Sequence, residues 1–268
     1  MLYLALRSMK GFIKLVQVLY VVYAFLLFTL LLLIIFPLVL MASVSGRIRT
    51  GNIIYLLCGY WADIWLFMVG IRVQTTGKAP PGAYIFVANH ISYMDIPMFV
   101  KTIRRPLRAL ANEEMGRIPV FGFLYRRAAV TVNRSSAQNR ARSVQVLKSV
   151  LHRGISIFIF PEGMWNTTGR PLKTFYDGAF RIAIETQTPL QPVIFPDTVK
   201  RLHYSSIFSL TPGTSRVVFL PVVPVEGLTL RDVEGLRDKV YKMMEETLRP
   251  IDPSTLRQAQ DRRRRRRG

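Results

Sequence analysis

The apolar segment over residues 15–42 constrains this chain more than any other feature. It is nearly unbroken, with Gln17, Thr29 and Pro37 as its only interruptions. It exceeds the roughly 20 residues that a helix needs to cross the hydrocarbon core of a bilayer. It is also too long for the apolar region of a signal peptide, and no clear small-residue cleavage site follows it. The segment therefore predicts an N-terminal helical membrane anchor.

A second apolar segment follows over residues 53–71, rich in aromatic side chains and with Asp63 at its centre. A carboxylate in the middle of a segment makes a second full span expensive. Aromatic residues with one acidic group fit a helix in the membrane interface or a re-entrant helix better. Three arrangements stay open: one span plus a surface helix, two helices dipping into one leaflet, or an ordinary core helix. Basic residues flank the first segment on both sides, so they set no orientation.

The net charge of +21 suggests an anionic membrane surface as a partner before it suggests nucleic acid. Six of the charges are consecutive arginines at positions 262–267, within a segment, 251–268, that we predict to be disordered. Adhesion of this segment to lipid headgroups is the functional alternative to a solvated tail. Cys58 is the only cysteine, which excludes an intrachain disulfide and a thiolate metal cluster.

The globular part is predicted to begin at a link rich in glycine and proline over residues 75–82. Short runs rich in Val, Ile and Phe predict strands at 84–88, 127–132, 155–160, 190–195 and 215–220. Helical patterns lie between them, among them 178–186 and 232–248. Alternation of strands and helices predicts an α/β fold, with a mixed, largely parallel sheet flanked by helices. The predicted layout is an anchor over 1–74, an α/β domain over 75–250 and a tail over 251–268.

Polar residues that can carry chemistry stand directly after the first predicted strand. Asn89 and His90 follow the apolar run, and Asp95 comes five residues after the histidine. Histidine is a suitable general base near neutral pH, and a carboxylate can fix its tautomer. Five residues of ideal helix would not place Asp95 on the same face as His90, so a turn has to fold the aspartate back. A structural role for such a pair is the alternative.

Four blocks in a fixed order resemble the motifs of the glycerolipid acyltransferase family. The first is the Asn89-His90 pair with Asp95, and the second covers residues 117–122 and runs on to 130–134. The third is Phe-Pro-Glu-Gly at 160–163, and the fourth covers 189–194. The resemblance spans roughly residues 75–225. Four ordered blocks make it more specific than any one of them.

The resemblance implies a membrane-bound enzyme that moves a fatty acyl chain from acyl-CoA or acyl carrier protein to a lysolipid hydroxyl. His90 would be the catalytic base and Asp95 its partner, with no cofactor. We predict no metal site, because His90, Asp95 and Glu162 lack paired ligands at helical spacing and a second histidine nearby in the sequence. Relatives in the family draw lipid from the cytoplasmic leaflet, which favours two helices in one leaflet and an active site facing the cytoplasm. Residues at the family's substrate-binding positions are Asn89, Arg117, Arg134, Glu162 and Gly163.

The sequence departs from the family where the acceptor's phosphate is usually bound. Relatives follow Glu-Gly with Thr-Arg, whereas this chain has Met164 and Trp165, and a family lysine is replaced by Asn112. Tryptophan cannot form a bidentate cationic pair with phosphate. Arg117, Arg126, Arg127 and Arg170 are candidates to compensate. The leading acceptor is 1-acylglycerol-3-phosphate, giving phosphatidate. A lyso-ornithine or lyso-glycine lipid is the alternative, and a non-catalytic basic membrane-binding protein is the rival of another class.

Overall fold

The N-terminal part of the chain forms a pair of long apolar helices. The computed structural model describes residues 2–132 and 137–249. Helix α1 covers Leu2–Ala42 and helix α2 covers Arg47–Met68, joined by a short 3-10 turn over Ser43–Ser45. Both are long and apolar enough to cross a membrane, by length and composition only. The prediction of an apolar N-terminal helix as a candidate anchor is confirmed.

Helix α1 packs on α2 along one side and exposes large apolar side chains on the other. The indole Nε1 of Trp65 donates to the Ala24 carbonyl at 2.9 Å, and the Tyr20 hydroxyl donates to the Val69 carbonyl at 2.6 Å. Large exposed side chains of α1 include Phe12, Leu19, Phe25, Leu30, Leu33 and Met41. An apolar face of this extent marks a surface made for lipid or for another protein.

Helix α2 is attached to the globular domain through helix α3 (Asp95–Thr102) and the residues that follow it. Asp63 of α2 forms ion pairs with Lys101, at 2.6 Å, and with Arg104. The Tyr55 hydroxyl, also on α2, donates to the Ile103 carbonyl at 2.9 Å. These contacts disfavour a second span surrounded by lipid, which the central Asp63 already makes expensive, and the three arrangements of the second apolar segment stay open.

A seven-stranded sheet forms the centre of the globular domain. Its strands are β1 (Ile71–Thr76), β2 (Ile85–Ala88), β3 (Leu107–Asn112), β4 (Ala129–Val132), β5 (Ser156–Ile159), β6 (Leu190–Ile194) and β7 (Gly213–Phe219). The strand order is β1-β7-β6-β2-β5-β3-β4, and the β6–β7 pair alone is antiparallel among the paired strands of the described residues. The predicted fold class, a mixed and largely parallel sheet with flanking helices, is confirmed.

Helices cover both faces of this sheet, which is why every residue of its central strands β2, β5 and β6 is buried. The further helices are α4 (Phe121–Ala128), α5 (Ala137–Leu151), α6 (Gly178–Thr186) and α7 (Val233–Leu248). Along β2, Ile85 and Val87 pack into a core with α5, α6 and α7. Phe86 and Ala88 point to the other face and pack into a core with α2 and α3. This alternation follows from the two-residue period of a strand. Strand β2 is thereby held at the middle of a three-layered domain.

The sheet begins before the position at which we predicted the globular domain to start. Strand β1 pairs in parallel with β7 from Ile71↔Gly213 to Thr76↔Val218, so residue 75 lies inside a strand. The division of the chain into three domains stays a prediction. Its last part, 251–268, lies outside the described residues.

Candidate active site

His90 stands at the carboxyl edge of the sheet, in the loop that follows β2. Strand β5 lies beside β2 and runs parallel to it, so the loop after β5, which carries Glu162, emerges at the same edge. Strand β6 is the parallel neighbour on the other side. In open α/β sheets this edge is where ligands bind. Two chain segments 72 residues apart therefore meet around one imidazole.

The imidazole of His90 is bonded to a fully buried carboxylate. His90 Nδ1 lies 2.8 Å from Asp95 Oδ2, and the Asp95 side chain has no solvent exposure, whereas that of His90 is 15% exposed. A turn over residues 91–94 folds Asp95, the first residue of α3, back onto the histidine. The structure thus brings together the two residues that the sequence predicted as a catalytic pair.

The other bonds of Asp95 determine which nitrogen of His90 carries the proton. Asp95 Oδ2 also accepts the backbone N–H groups of Ile91 and Ser92, at 2.9 and 3.0 Å. Asp95 Oδ1 accepts the Thr198 hydroxyl at 2.5 Å. An oxygen that already receives two N–H donors acts as an acceptor toward the imidazole as well, so Nδ1 is the protonated nitrogen. The lone pair of His90 then lies on Nε2, where a base needs it.

Glu162 holds the His90 loop in place by hydrogen bonds to backbone N–H groups. Its Oε1 accepts the backbone N–H of His90 at 2.8 Å, and its Oε2 accepts the backbone N–H of Lys173 at 2.8 Å. The side chain is completely buried. One carboxyl group therefore joins the His90 loop to the loop that follows β5. The backbone N–H of Asn166 adds a second link, donating to the His90 carbonyl at 2.7 Å.

Burial shifts the acidity of this carboxyl group. Removal from solvent raises the pKa of Glu162 to about 7 from its ordinary value of 4.5. The two backbone N–H donors act in the opposite direction and offset part of that rise. Glu162 consequently titrates close to neutral pH, where protonating it would disturb one of the two backbone bonds.

Aromatic side chains form the rest of the surroundings of His90. The imidazole stacks on Phe160, with ring centroids 3.9 Å apart and an interplanar angle of 11°. Trp165 lies edge-on to the imidazole at 6.0 Å, and Tyr93 lies edge-on to Trp165 at 4.1 Å. These rings restrict the imidazole to one orientation and line its approach with apolar surface.

The similarity of this chain to a known protein family covers the segments that carry His90, Asp95 and Glu162. Residues 70–196 match the acyltransferase family model. A 1-acyl-sn-glycerol-3-phosphate acyltransferase of Borreliella burgdorferi is 30% identical over 191 residues, which cover 68% of this chain and 75% of that protein. The chain belongs to the acyltransferase family. It spans about two thirds, 66%, of the length of the human relative it matches.

Two further similarities refine the family relationship. A lyso-ornithine lipid O-acyltransferase of Pseudomonas aeruginosa is 33% identical over 138 residues, 51% of this chain and 52% of that protein. The crystal structure of the acyltransferase PlsC from Thermotoga maritima superposes with a TM-score of 0.72 at 23% identity, covering 89% of this chain and 97% of that one. The second similarity establishes the fold of this family member. Membership of the family supports the prediction of an acyltransferase.

The predicted substrate-binding residues of this acyltransferase-family chain lie in different settings. Asn89 is fully buried and clamps the backbone of Phe195, donating to its carbonyl at 2.9 Å and accepting its N–H at 2.8 Å. Gly163 has φ of +74°, a left-handed conformation that favours glycine. Arg117 is exposed, in the 3-10 turn that follows β3 at the His90 edge. Arg134 lies outside the described residues. Contact of these residues, or of Glu162, with a substrate stays a prediction.

Sequence reasoning missed two contacts of the predicted catalytic pair. Thr198, which donates to Asp95, is 103 residues away in the chain. The sequence indicated Thr198 only by its position: it follows β6, which runs parallel to β2, and therefore lies at the same sheet edge as His90. Trp165 was recognised only as a departure from the family pattern, not as a neighbour of the imidazole. Within the described residues no group of three or more His, Cys, Asp or Glu side chains is arranged to hold a metal ion. The absence of a metal stays a prediction.

Glu162→Gln is expected to change the pH dependence of stability. The folded-state pKa of about 7 lies above the ordinary 4.5, so the stability contributed by the protonated group is fully present below pH 4.5. That contribution is lost as pH rises through about 7. The thermal midpoint of the wild type minus that of the variant should therefore fall across this window. Thermal unfolding in detergent at a series of pH values measures it.

The exposed Glu226 offers a matched control for this titration. Glu226→Gln removes the same kind of group and should leave the pH profile of the wild type unchanged. Parallel profiles for the wild type and Glu162→Gln would show that Glu162 does not titrate in the window, contrary to the effect of its burial.

Proposed function

We propose that this protein transfers a fatty acyl chain from an acyl thioester, of coenzyme A or acyl carrier protein, to the free hydroxyl of a membrane lysolipid. The leading acceptor is 1-acylglycerol-3-phosphate, which would give phosphatidate. The observation that carries the proposal is the His90–Asp95 pair, bonded at 2.8 Å at the carboxyl edge of the central strand. Family membership and the printed names of the relatives support the reaction class and the acceptor.

The geometry suits direct transfer without a covalent enzyme intermediate. His90 Nε2 takes the proton of the acceptor hydroxyl as its oxygen attacks the thioester carbon. The tetrahedral intermediate collapses, the C–S bond breaks, and the proton is returned to the thiolate that leaves. Asp95 stabilises the imidazolium in between. In this scheme no residue of the chain has to act as a nucleophile.

The helix pair supplies the place where such an acceptor would be met. The exposed apolar face of α1 is suited to lipid. Helix α2 contacts α1 through Trp65 and the α/β domain through Asp63, so it lies between them. We place α1 in the membrane, with α2 at the junction to the domain and the active site facing the cytoplasm. The acyl donor would then arrive from the aqueous side and the lysolipid from the leaflet.

A second acceptor class is favoured by the position of Trp165. The family pattern predicts an arginine there for the acceptor's phosphate, and the structure places an indole 6.0 Å from the imidazole of His90 instead. A neutral aromatic side chain fits an acceptor without phosphate, such as a lyso-ornithine lipid. The relative from Pseudomonas aeruginosa carries that name.

An acceptor panel tests the proposal and separates its two versions. Purified protein is given one labelled acyl thioester and, in turn, lysophosphatidate, lyso-ornithine lipid and lyso-glycine lipid. We expect kcat/KM to be highest for lysophosphatidate. A strong preference for an acceptor without phosphate would establish the second version. Absence of transfer to every lysolipid would contradict the proposal as a whole.

Trp165→Arg is expected to shift selectivity toward the phosphate-bearing acceptor. A guanidinium that forms one charge-assisted hydrogen bond with phosphate should raise kcat/KM for lysophosphatidate, relative to lyso-ornithine lipid, by about tenfold. Met164→Arg is the matched control, because it adds the same charge at the next position on a side chain that is 65% exposed. Equal selectivity in both variants would show that residue 165 does not face the acceptor headgroup.

A further inference from the structure

Six arginines converge on one cavity that the candidate active site does not use. The cavity has a volume of about 470 Å³. Its arginines are Arg47, Arg108, Arg126, Arg127, Arg142 and Arg153. They come from the first turn of α2, from β3, from the end of α4, from α5 and from the turn that follows α5. We refer to it as the arginine cavity.

The arginine cavity lies away from the sheet edge that carries His90. Arg108 is the second residue of β3, and Ala129 and Val130, which also line the cavity, open β4. Both strands run parallel to the rest of the sheet's centre, so the cavity adjoins their amino ends. His90 follows the carboxyl end of β2. Arg126 and Arg127, considered from the sequence as partners of an acceptor at His90, are placed in this separate cavity.

The positive charge of the arginine cavity is not neutralised by the protein. No Asp or Glu lines it, and none of its six arginines forms an ion pair with a carboxylate in the described part of the chain. Elsewhere in the same protein, arginines such as Arg216 and Arg237 do pair with carboxylates. Like charges gathered without counter-charge repel one another unless an anion lies among them.

Arg108 shows the same shortage of counter-charge in a buried setting. It is 4% exposed, and its guanidinium donates only to neutral oxygens: the carbonyls of Leu107 and Ile48 and the side-chain oxygen of Asn52, each at 2.9 Å. Burial lowers the pKa of Arg108 to about 10. A β-carbon at Gly51 would lie 2.4 Å from Arg108 Nη2, so the helix passes close against this group. The chain holds a buried cation in place without neutralising it, as a preformed anion site requires.

The chemistry of the lining identifies the class of ligand. Guanidinium groups match the oxygens of phosphate in charge and in bidentate geometry. The floor also contains apolar side chains, Ile48, Val146 and Val150, which suits a phosphate attached to an organic group. We propose that the arginine cavity binds a phosphate-bearing ligand, separately from the substrates at His90. Arg47 and Ile48 adjoin the turn at Gly46 that joins the two apolar helices, so a lipid headgroup is one source and a soluble phosphate compound is the other.

The test uses the full chain in detergent and the double variant Arg142→Gln, Arg153→Gln. Both side chains are exposed, Arg142 on α5 and Arg153 in the turn that follows it, so the variant is expected to fold. The matched control is Arg72→Gln with Arg231→Gln, two exposed arginines elsewhere, which removes the same net charge. Inorganic phosphate and glycerol 3-phosphate are titrated against chloride at constant ionic strength, and the thermal unfolding midpoint is recorded.

Phosphate should raise the unfolding midpoint of the wild type and of the control more than chloride does. The affinity of the double variant for phosphate should be weaker by about tenfold for each arginine lost. A rise of equal size in the double variant and the control, or no rise beyond chloride in the wild type, would overturn the proposal. Neither readout involves acyl transfer, so the result is independent of the proposed reaction.

A vesicle experiment distinguishes the two sources of phosphate. Co-sedimentation is measured with phosphatidylcholine vesicles that contain either phosphatidate or phosphatidylserine. If a lipid headgroup occupies the cavity, the double variant should lose binding to phosphatidate vesicles relative to the control variant, and lose less with phosphatidylserine. Equal vesicle binding of both variants, together with the difference in phosphate affinity, would assign the cavity to a soluble phosphate compound.

Discussion

His90→Ala is expected to reduce acyl transfer by roughly 10²–10⁴-fold while folding and membrane association are kept. Nε2 of His90 is the unprotonated nitrogen, because Nδ1 donates to Asp95 Oδ2. Removing the imidazole leaves no base at this point of the sheet edge, and the acceptor hydroxyl has to lose its proton to water. Steady-state transfer from a labelled thioester to lysophosphatidate measures the loss, and co-sedimentation with vesicles measures association.

Asp95→Asn should produce a loss in the same range by a different route. An amide oxygen at the position of Oδ2 can still accept from His90 Nδ1 and from the backbone N–H groups of Ile91 and Ser92, but the neutral amide carries no charge to stabilise the imidazolium. The proton taken up by His90 during transfer is then held less favourably, so kcat should fall more than the affinity for the acceptor. His152→Ala is the control, since this exposed histidine lies outside the site and should transfer acyl groups as the wild type does. Normal turnover by His90→Ala would place the base on another residue.

Asn89→Leu is expected to lower the free energy of unfolding by roughly 2–6 kcal/mol, the sum for two buried backbone groups left without partners at 1–3 each. The Asn89 amide bonds both the N–H and the carbonyl of Phe195, at 2.8 and 2.9 Å. These bonds tie the end of β2 to the end of β6. Leucine has nearly the same shape but can satisfy neither group. Denaturant or thermal unfolding in detergent reports the difference.

Gln191→Met is the matched control for that substitution. Gln191 is also a buried amide, but its Oε1 has no partner within the described residues. Its Nε2 donates to the Leu220 carbonyl at 2.6 Å and to the Pro192 carbonyl at 3.1 Å, and the Pro192 carbonyl also accepts the Leu220 N–H. Gln191→Met therefore leaves one backbone carbonyl without this donor and also removes an unpaired oxygen, so it should cost less than Asn89→Leu. Equal losses in the two variants would mean that the Asn89 clamp contributes no more than ordinary packing.

The sequence predicted the five strands that contain runs of Val, Ile and Phe and overlooked two strands, β1 and β3, that lack such runs. All five predicted strands are present with slightly shifted ends. Strand β1 lies at the edge of the sheet with most side chains exposed, and it fell between the second apolar segment and the glycine-proline link. Strand β3 reads Leu-Arg-Ala-Leu-Ala-Asn, a composition that favours helix, and it is extended because β4 and β5 pair with it on both sides. Such tertiary pairing cannot be seen in a local pattern.

The sequence predicted those residues of the candidate site that can be found from local spacing and from the ends of strands. His90 and Asp95 are five residues apart, and Glu162 ends a strand that is readable by itself, so all three were identified. The bond of Thr198 to Asp95 depends on the order β6-β2-β5, which the sequence does not state. The placement of Arg126 and Arg127 in the arginine cavity depends on how α4 packs against α2, which is equally long-range.

Helix α3 connects the candidate site at His90 to helix α2. Asp95 begins α3 and fixes the imidazole, and Lys101, near the other end of α3, is ion-paired to Asp63 of α2. With α1 in the bilayer, the reactive nitrogen would then sit at one set height above the acyl chains. For the proposed acyl transfer, this fixed depth would determine which hydroxyl of an acceptor reaches His90, independently of how the headgroup is recognised.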